Sequence, residues 1–166
     1  MSRSLVTGGT SFIGLYTVKI LLERGHFVHT TVRSLKNTQK LKALSDLQNN
    51  SFKDAMAGCD IVYHIASPFL VPQQIKGGMK DCIEPALQGT QNVLQSVNET
   101  QTVKRVVLTS SIAAIYSDSA DILKMKDSTL AEAYWNVTST AADNPYSYSK
   151  TIAEREAWKM QEAQSR

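Results

Sequence analysis

Four short runs of β-forming residues alternate along this chain with stretches that carry apolar residues at helical spacing. The four runs read RSLVTG, HFVHTTVR, DIVYHIAS and RVVLTSSIAAIY. Strands separated by helices join through right-handed βαβ crossovers, and such crossovers build a parallel sheet covered by helices. The third run is apolar nearly throughout, which is typical of a strand covered on both faces. The alternation therefore predicts an α/β fold with a doubly wound parallel sheet.

The stretches between these runs predict helices. A first helix ends at Gly25, which suits a helix C-cap, and a short second helix lies in NNSFKDAMAGC, with Asn50 or Ser51 as its N-cap. The apolar positions of the first helix are Phe12, Ile13, Val18, Ile20, Leu21 and Leu22.

Two longer helices follow in the second half of the chain. One runs from about Met79 to Val97 and contains Pro85, which should kink it because proline removes a backbone donor and clashes with the preceding turn. The last helix begins near DNPYSYSK, where Asn144 can cap it and Pro145 can occupy the first turn.

Composition excludes several classes of protein. At 166 residues, 42% hydrophobic and 20% charged, the chain predicts one globular domain. The net charge of +3 comes from scattered cations, which argues against a nucleic-acid partner. Cys59 and Cys82 have no metal-ligand spacing, no metal is indicated, and His26, His29 and His64 are interpreted as structural. With no membrane-length apolar run or signal-peptide core, we expect a cytoplasmic protein.

A glycine-containing turn, LVTGGTSFIG, lies between the first strand and the first helix. In a dinucleotide-binding fold, this turn brings backbone N–H groups onto a pyrophosphate at the helix N-terminus. The alternative is a tight strand–helix turn without a ligand, and the turn alone only modestly favours binding.

The second strand ends in TTVRS, which bears on the choice of cofactor. An acidic residue at this position binds the ribose hydroxyls of NAD, whereas the guanidinium of Arg33 suits a 2′-phosphate. The sequence therefore favours NADP(H) over NAD(H).

Near the end of the chain, DNPYSYSK places two tyrosines ahead of one lysine. Residues four apart share a helix face, so Tyr146 pairs with Lys150, while Tyr148 points roughly to the opposite side. A neighbouring ammonium in a partly desolvated cleft lowers the pKa of a phenol, ordinarily about 10, and prepares it for proton transfer. Ser110 and Ser111, at the end of the fourth strand, can polarise a substrate carbonyl.

These motifs occur in an order that resembles the extended short-chain dehydrogenases/reductases, and within them the dihydroflavonol reductase and cinnamoyl-CoA reductase group. The glycine turn, the basic strand end, TSS and YSYSK followed by TIAE carry the resemblance, with AGCDIVYHIASP and IEPALQGTQNVL in support. It implies a Rossmann-type dinucleotide-binding domain over residues 1–166. The family's turn reads T-G-x-x-G-F-I-G, and this chain has Ser11 at the middle glycine, where a left-handed backbone would cost a serine about 1–2 kcal/mol.

The resemblance also implies the site residues. Ser111 orients the substrate oxygen, with Ser110 as the fallback; Tyr146 exchanges the proton; and Lys150 tunes the phenol and binds the nicotinamide ribose. Lys40, seven residues after Arg33, helps to hold the 2′-phosphate. The cofactor-binding residues are Gly8, Ser11, Phe12, Ile13, Gly14, Arg33, Lys40, Asp46, Leu47, Ala66, Tyr146 and Lys150.

The chain departs from the family at two places. It passes from Leu44 directly to Ser45, where the family has a further strand, and it stops at Arg166, where the family continues into a substrate-binding portion. We therefore expect an incomplete sheet, in a piece of a longer reductase that binds NADP(H) weakly and turns over poorly.

The expected activity is NADP-dependent reduction of an aldehyde or ketone to an alcohol by hydride transfer. The substrate is a small carbonyl compound or alcohol that the sequence does not name, and the protein is a monomer or homodimer that does not bind membranes. Alternatives are a nucleotide-sugar epimerase or hydroxysteroid dehydrogenase of the same family, or a non-catalytic NADP(H)-sensing module. Arg33 argues against the NAD-retaining epimerases.

Overall fold

The computed structural model describes residues 1–32 and 52–164, and within them four strands form a parallel sheet. The strands are β1 (Arg3–Thr7), β2 (Phe27–Thr31), β3 (Ile61–His64) and β4 (Arg105–Leu108). Their order is β2-β1-β3-β4, and each neighbouring pair is parallel. The predicted α/β fold is therefore confirmed. This order matches the central part of the 3-2-1-4-5-6 Rossmann sheet.

The helices alternate with these strands as predicted. They are α1 (Phe12–Glu23), α2 (Phe52–Met56), α3 (Glu84–Asn98), α4 (Ser119–Ile122) and α5 (Pro145–Glu162). A π-helical turn, Met79–Ile83, leads directly into α3. Short 3₁₀ turns cover Pro72–Gln74, Ile112–Ala114 and Lys126–Ser128. No helix within residues 1–32 and 52–164 is long and apolar enough to cross a membrane.

The chain forms two compact units. The first comprises Met1–Ala66 and Asn92–Thr109 and contains the sheet; the second comprises Ser67–Gln91 and Ser110–Arg166 and contains α5.

In the first unit, helices pack on both faces of the sheet. Leu5 and Val62 lie on one face with α2 and the C-terminal part of α3, whereas Val6 lies on the other face with α1. Successive strand residues point to opposite faces of a sheet, so Leu5 and Val6, which are adjacent in β1, pack into the hydrophobic clusters on its two faces. This arrangement confirms the doubly wound sheet.

Helix α1 ends as its sequence predicts, and it buries few of its apolar residues. Gly25 has a φ of 77°, its N–H donates to the carbonyl of Leu22, and His26 N–H donates to the carbonyl of Leu21, which is a Schellman cap. Among the predicted apolar positions, only Val18 and Leu21 are buried. The others, Phe12, Ile13, Ile20 and Leu22, are exposed. The buried face of the helix carries Gly14, Val18 and Leu21, which are spaced at i, i+4 and i+7.

Two other predicted elements need correction. The fourth strand is shorter than its apolar run, because Ser111 caps a 3₁₀ turn at Ile112–Ala114. The irregularity expected at Pro85 takes the form of the preceding π-helical turn, in which Glu84 N–H donates to the carbonyl of Met79. The predicted caps Asn50 and Ser51, and the junction of Leu44 with Ser45, lie outside the described residues.

Candidate active site

The turn after β1 in the first unit requires glycine for two separate reasons. Gly8 has a φ of 73°, a left-handed conformation that glycine adopts without steric cost. A Cβ on Gly14 would lie 2.2 Å from the carbonyl oxygen of Gly8, far inside contact distance. Gly14 therefore lets the first turn of α1 pack directly onto the end of the strand.

Ser11, which replaces the family's middle glycine, is not strained. Its φ of −77° and ψ of 162° are extended, so the cost considered for a left-handed serine does not arise. Its hydroxyl accepts a hydrogen bond from Gly14 N–H at 3.0 Å and caps α1. The Ser11 N–H donates to the carbonyl of Gly8 at 2.9 Å, so that donor is used within the turn.

Thr7, which sequence reasoning missed, fixes the end of β3 beside this turn. Its buried hydroxyl accepts hydrogen bonds from the N–H groups of Ile65 and Ala66, both at 3.1 Å. The hydroxyl proton is then directed to His64 Nδ1 at 2.8 Å, so His64 has the structural role expected of it. A Cβ on Gly8 would lie 3.1 Å from the Ala66 Cα, so these two predicted residues are neighbours.

This turn fits the pyrophosphate of a dinucleotide. The first N–H groups of a helix lack intrahelical partners and attract anions. That of Gly14 donates to the Ser11 side chain. Phe12 and Ile13, at the start of α1, are 79% and 55% exposed. The other predicted cofactor-binding residues of this half, Arg33, Lys40, Asp46 and Leu47, lie outside the described residues.

In the second unit, α5 carries the predicted tyrosine–lysine pair. The helix begins where the sequence predicts: Asn144 is the N-cap, its side chain accepts a hydrogen bond from Ser147 N–H, and Pro145 occupies the first turn. The Lys150 Nζ lies 5.2 Å from the centroid of the Tyr146 ring. The two side chains therefore meet as their helical spacing predicts.

Lys150 is buried although it carries an ionisable amine. Its exposed fraction is 8%, and burial lowers its pKa from the ordinary value because a low-dielectric environment disfavours the ammonium. Two oxygens accept hydrogen bonds from the amine. The Nζ donates to the Ser67 hydroxyl at 2.5 Å and to the Pro68 carbonyl at 3.3 Å.

Tyr146 also contacts the segment that holds Lys150. The Phe69 ring meets the Tyr146 ring edge-on, with centroids 5.9 Å apart and planes at 88°. Tyr146 and Tyr148 are both half-buried. Sequence reasoning missed Ser67, Pro68 and Phe69; the available signal was their position at the end of a predicted strand, where open α/β sheets place ligands.

The two serines after β4 have different surroundings. Ser110 is exposed and its hydroxyl donates a short hydrogen bond to a carboxylate oxygen of Glu154. Ser111 is half-buried, and its hydroxyl accepts from Ala113 N–H at 3.2 Å. Both line an open cleft of about 380 Å³, together with Glu154 and the aromatic residues Tyr134 and Trp135.

Tyr146 and Lys150 are not among the residues that line this cleft. The structure thus brings together the tyrosine and the lysine, and separately the two serines with Glu154. Sequence reasoning did not identify Glu154, although its position four residues after Lys150 on α5 was the available signal.

Comparison with known proteins identifies the family of this chain. Residues 4–166 match the model of the NAD dependent epimerase/dehydratase family. The chain belongs to this family. The predicted resemblance to extended short-chain reductases is confirmed.

Among similar members, tetraketide alpha-pyrone reductase 2 of Arabidopsis thaliana is 39% identical, covering 98% of this chain and 55% of that protein. The (2S)-flavan-3-ol-forming anthocyanidin reductase of Vitis vinifera is 37% identical, covering 95% and 51%. In the solved structures, the yeast methylglyoxal/isovaleraldehyde reductase Gre2 complexed with NADPH is 28% identical, with a TM-score of 0.79 and coverage of 96% and 53%.

The chain spans about half the length of the curated relatives it matches. The alignment with the Arabidopsis reductase covers 181 positions, more than the 166 residues of this chain. That relative therefore contains residues with no counterpart here.

Proposed function

We propose that residues 1–166 form the dinucleotide-binding domain of an NADP(H)-dependent reductase that converts a carbonyl to an alcohol. The observation that carries the proposal is the buried Lys150 amine, 5.2 Å from the centroid of the Tyr146 ring. A surface Y-x-x-x-K pair would leave the lysine in water. Removal of the amine from water strengthens the electrostatic influence of its ammonium form on a neighbouring phenol.

The first unit supplies the binding of the cofactor's phosphates. The turn from Gly8 to Gly14 and the N-terminus of α1 hold the pyrophosphate, through N–H groups and the helix dipole. Arg33 and Lys40 hold the 2′-phosphate, which makes NADP(H) the preferred nicotinamide cofactor. The NADPH complex of yeast Gre2 supports this preference.

In the second unit, Tyr146 donates the proton to the carbonyl oxygen and Lys150 stabilises the phenolate left behind. Ser111 donates a hydrogen bond that orients the same oxygen, since its hydroxyl proton is not used in accepting from Ala113. NADPH, when bound, supplies the hydride. Ser110 is the less suitable serine, because its proton is committed to Glu154.

The substrate class is a small aldehyde or ketone. The named relatives are reductases, and the yeast protein's name gives methylglyoxal and isovaleraldehyde, both carbonyl compounds. We place the protein in the cytoplasm, where free thiols such as those of Cys59 and Cys82 persist.

The test compares Tyr146→Phe with a matched control, Tyr148→Phe, two positions along the same helix, in a full-length protein that contains residues 1–166. NADPH binding is measured by fluorescence titration, and turnover is measured with a panel of aldehydes and ketones. Loss of the proton donor should lower kcat by about 10²–10⁴-fold, while the Kd for NADPH stays unchanged. Tyr148→Phe should retain activity.

Two results would contradict the proposal. If wild type binds NADPH but reduces no carbonyl in the panel, the cofactor-sensing alternative is favoured. If Tyr146→Phe turns over as fast as Tyr148→Phe, the phenol of Tyr146 is not the proton donor.

A further inference from the structure

We propose that Ser67 is a positioning residue for the reaction: its hydroxyl, with the carbonyl of Pro68, holds the Lys150 ammonium beside the ring of Tyr146. This inference rests on the proposed function, because it assigns Ser67 a role through Lys150. Neither the helical spacing of α5 nor the Y-x-x-x-K pattern predicts it.

The hydrogen-bond geometry fixes where the amine can go. An ammonium has three N–H donors. Two of them are directed to oxygens of consecutive residues, at 2.5 Å to Ser67 and 3.3 Å to Pro68. One donor remains for the phenol oxygen or for a ribose hydroxyl. A flexible four-carbon side chain, which loses rotamer freedom on burial, is thereby held in one position.

The local sequence makes this segment a rigid support. Proline fixes its own φ and restricts the preceding residue to extended conformations, so the Ser67 backbone has few alternatives. Phe69, the next residue, places its ring edge-on to Tyr146 at 5.9 Å. Ser67 and Pro68 thus contact Lys150, and Phe69 contacts Tyr146.

Ser67 also affects the charge of the amine. A hydroxyl and a carbonyl that accept from the ammonium favour its charged form, against the effect of burial. The titratable groups that face the amine are Tyr146, on its own helix, and Cys82, on the π-helical turn that packs against α5. Burial raises the pKa of the Cys82 thiol, which therefore stays neutral near pH 7. The Ser67–Pro68 segment adds no titratable group.

The direct test is an NMR pH titration of the Lys150 side chain in the 166-residue protein, with lysine labelled at Cε and Nζ. Its signal is assigned by its loss in Lys150→Arg. Three variants are compared with wild type: Ser67→Ala removes the acceptor, Ser67→Thr retains a hydroxyl, and Ser96→Ala removes a serine whose hydroxyl donates to the carbonyl of Asn92 in its own helix.

Loss of a hydrogen bond to the charged form should lower the pKa of Lys150 in Ser67→Ala by about one pH unit. Ser67→Thr should restore most of the wild-type value, and Ser96→Ala should match wild type. An unchanged Lys150 titration in Ser67→Ala would overturn the inference. A thermal melt of each variant identifies any that fail to fold, and Ser67→Thr then provides the comparison.

The rate of alcohol oxidation gives a second measurement. Because Lys150 is proposed to act on the phenol of Tyr146, loss of its support should lower kcat in Ser67→Ala, while Ser67→Thr and Ser96→Ala should retain the wild-type rate. If the full-length wild-type protein that contains residues 1–166 shows no turnover, the proposed function fails, while the NMR titration still decides the role of Ser67. If wild type is active and both measurements are unchanged in Ser67→Ala, only the positioning role fails.

Discussion

Replacement of glycine by alanine, which adds one methyl group, should lower the free energy of unfolding at Gly14 and raise it at Gly89. Both lie inside helices, Gly14 in α1 and Gly89 in α3, so alanine should gain about 1 kcal/mol of helix propensity at either position. A Cβ on Gly89 has no heavy atom within 4 Å, whereas a Cβ on Gly14 would lie 2.2 Å from the Gly8 carbonyl oxygen. The same substitution thus tests how tightly the turn after β1 is packed.

The cost at Gly14 follows from what the methyl group would meet. Ordinary contacts of a Cβ begin at 3.4 Å, and the new atom would also lie 2.9 Å from the Gly8 carbonyl carbon and from the Ser11 Oγ. The Gly8 carbonyl is backbone, so relief requires α1 to move away from the strand. Overpacking of this kind costs about 3 kcal/mol, at the upper end of the usual range. When the gain of about 1 kcal/mol in helix propensity is subtracted from this cost, the net destabilisation is about 2 kcal/mol.

Urea unfolding followed by far-UV circular dichroism measures both variants. Gly89→Ala should raise the free energy of unfolding by about 1 kcal/mol and Gly14→Ala should lower it by about 2 kcal/mol, a shift in midpoint on the order of 1 M. Since Gly14 belongs to the turn proposed to hold the pyrophosphate, Gly14→Ala should also weaken NADPH binding. If Gly14→Ala is as stable as wild type, the close approach of α1 to β1 is refuted.

Two further predictions concern stability. Asn144, at the start of α5, has a φ of 55°, and its side chain accepts the N-cap hydrogen bond from Ser147 N–H. Asn144→Ala should therefore lower the free energy of unfolding by about 2 kcal/mol, and Asn144→Gly should lower it by less because glycine tolerates that φ. Urea unfolding followed by tryptophan fluorescence measures both variants, and equal losses would contradict the role of the backbone conformation. Burial raises the pKa of the Cys59 thiol from 9.0 to about 11. Between these values the folded state retains a proton that the unfolded state loses, so the free energy of unfolding should fall by up to about 2–3 kcal/mol as pH rises from 9 to 11. Cys59→Ala should remove that part of the pH dependence, and an identical slope in both proteins would show that the thiol ionises equally in the two states.

The sequence predicted the sheet and its helices well because their signals are local. The β-rich runs, the Schellman glycine at Gly25 and the cap at Asn144 each depend on a few neighbouring residues. The errors arose where tertiary contacts decide. The apolar residues of α1 could not reveal that Val18 and Leu21 are buried whereas Phe12, Ile13, Ile20 and Leu22 are exposed. The run after Leu108 could not reveal that Ser111 ends the extended segment by capping a turn.

In the candidate site, too, local geometry could be predicted from the sequence and long-range contacts could not. Tyr146 and Lys150 are four residues apart on a helix, so helical geometry alone predicts that they meet. The contacts of Lys150 with Ser67 and Pro68 join residues more than 80 positions apart, and no sequence period encodes them.

The sequence could not reveal which groups surround Lys150 in the structure. A solvated surface cation would have little effect on a phenol because water screens it. Burial makes the amine effective only if something keeps it charged, since desolvation alone favours the neutral form. Ser67 and Pro68 supply the two oxygens that a buried ammonium needs, without adding a negative charge that would oppose ionisation of the Tyr146 phenol. A carboxylate in their place would hold Lys150 more firmly but would disfavour the phenolate. Neutral acceptors therefore suit the chemistry proposed for this pair better than an ion pair would.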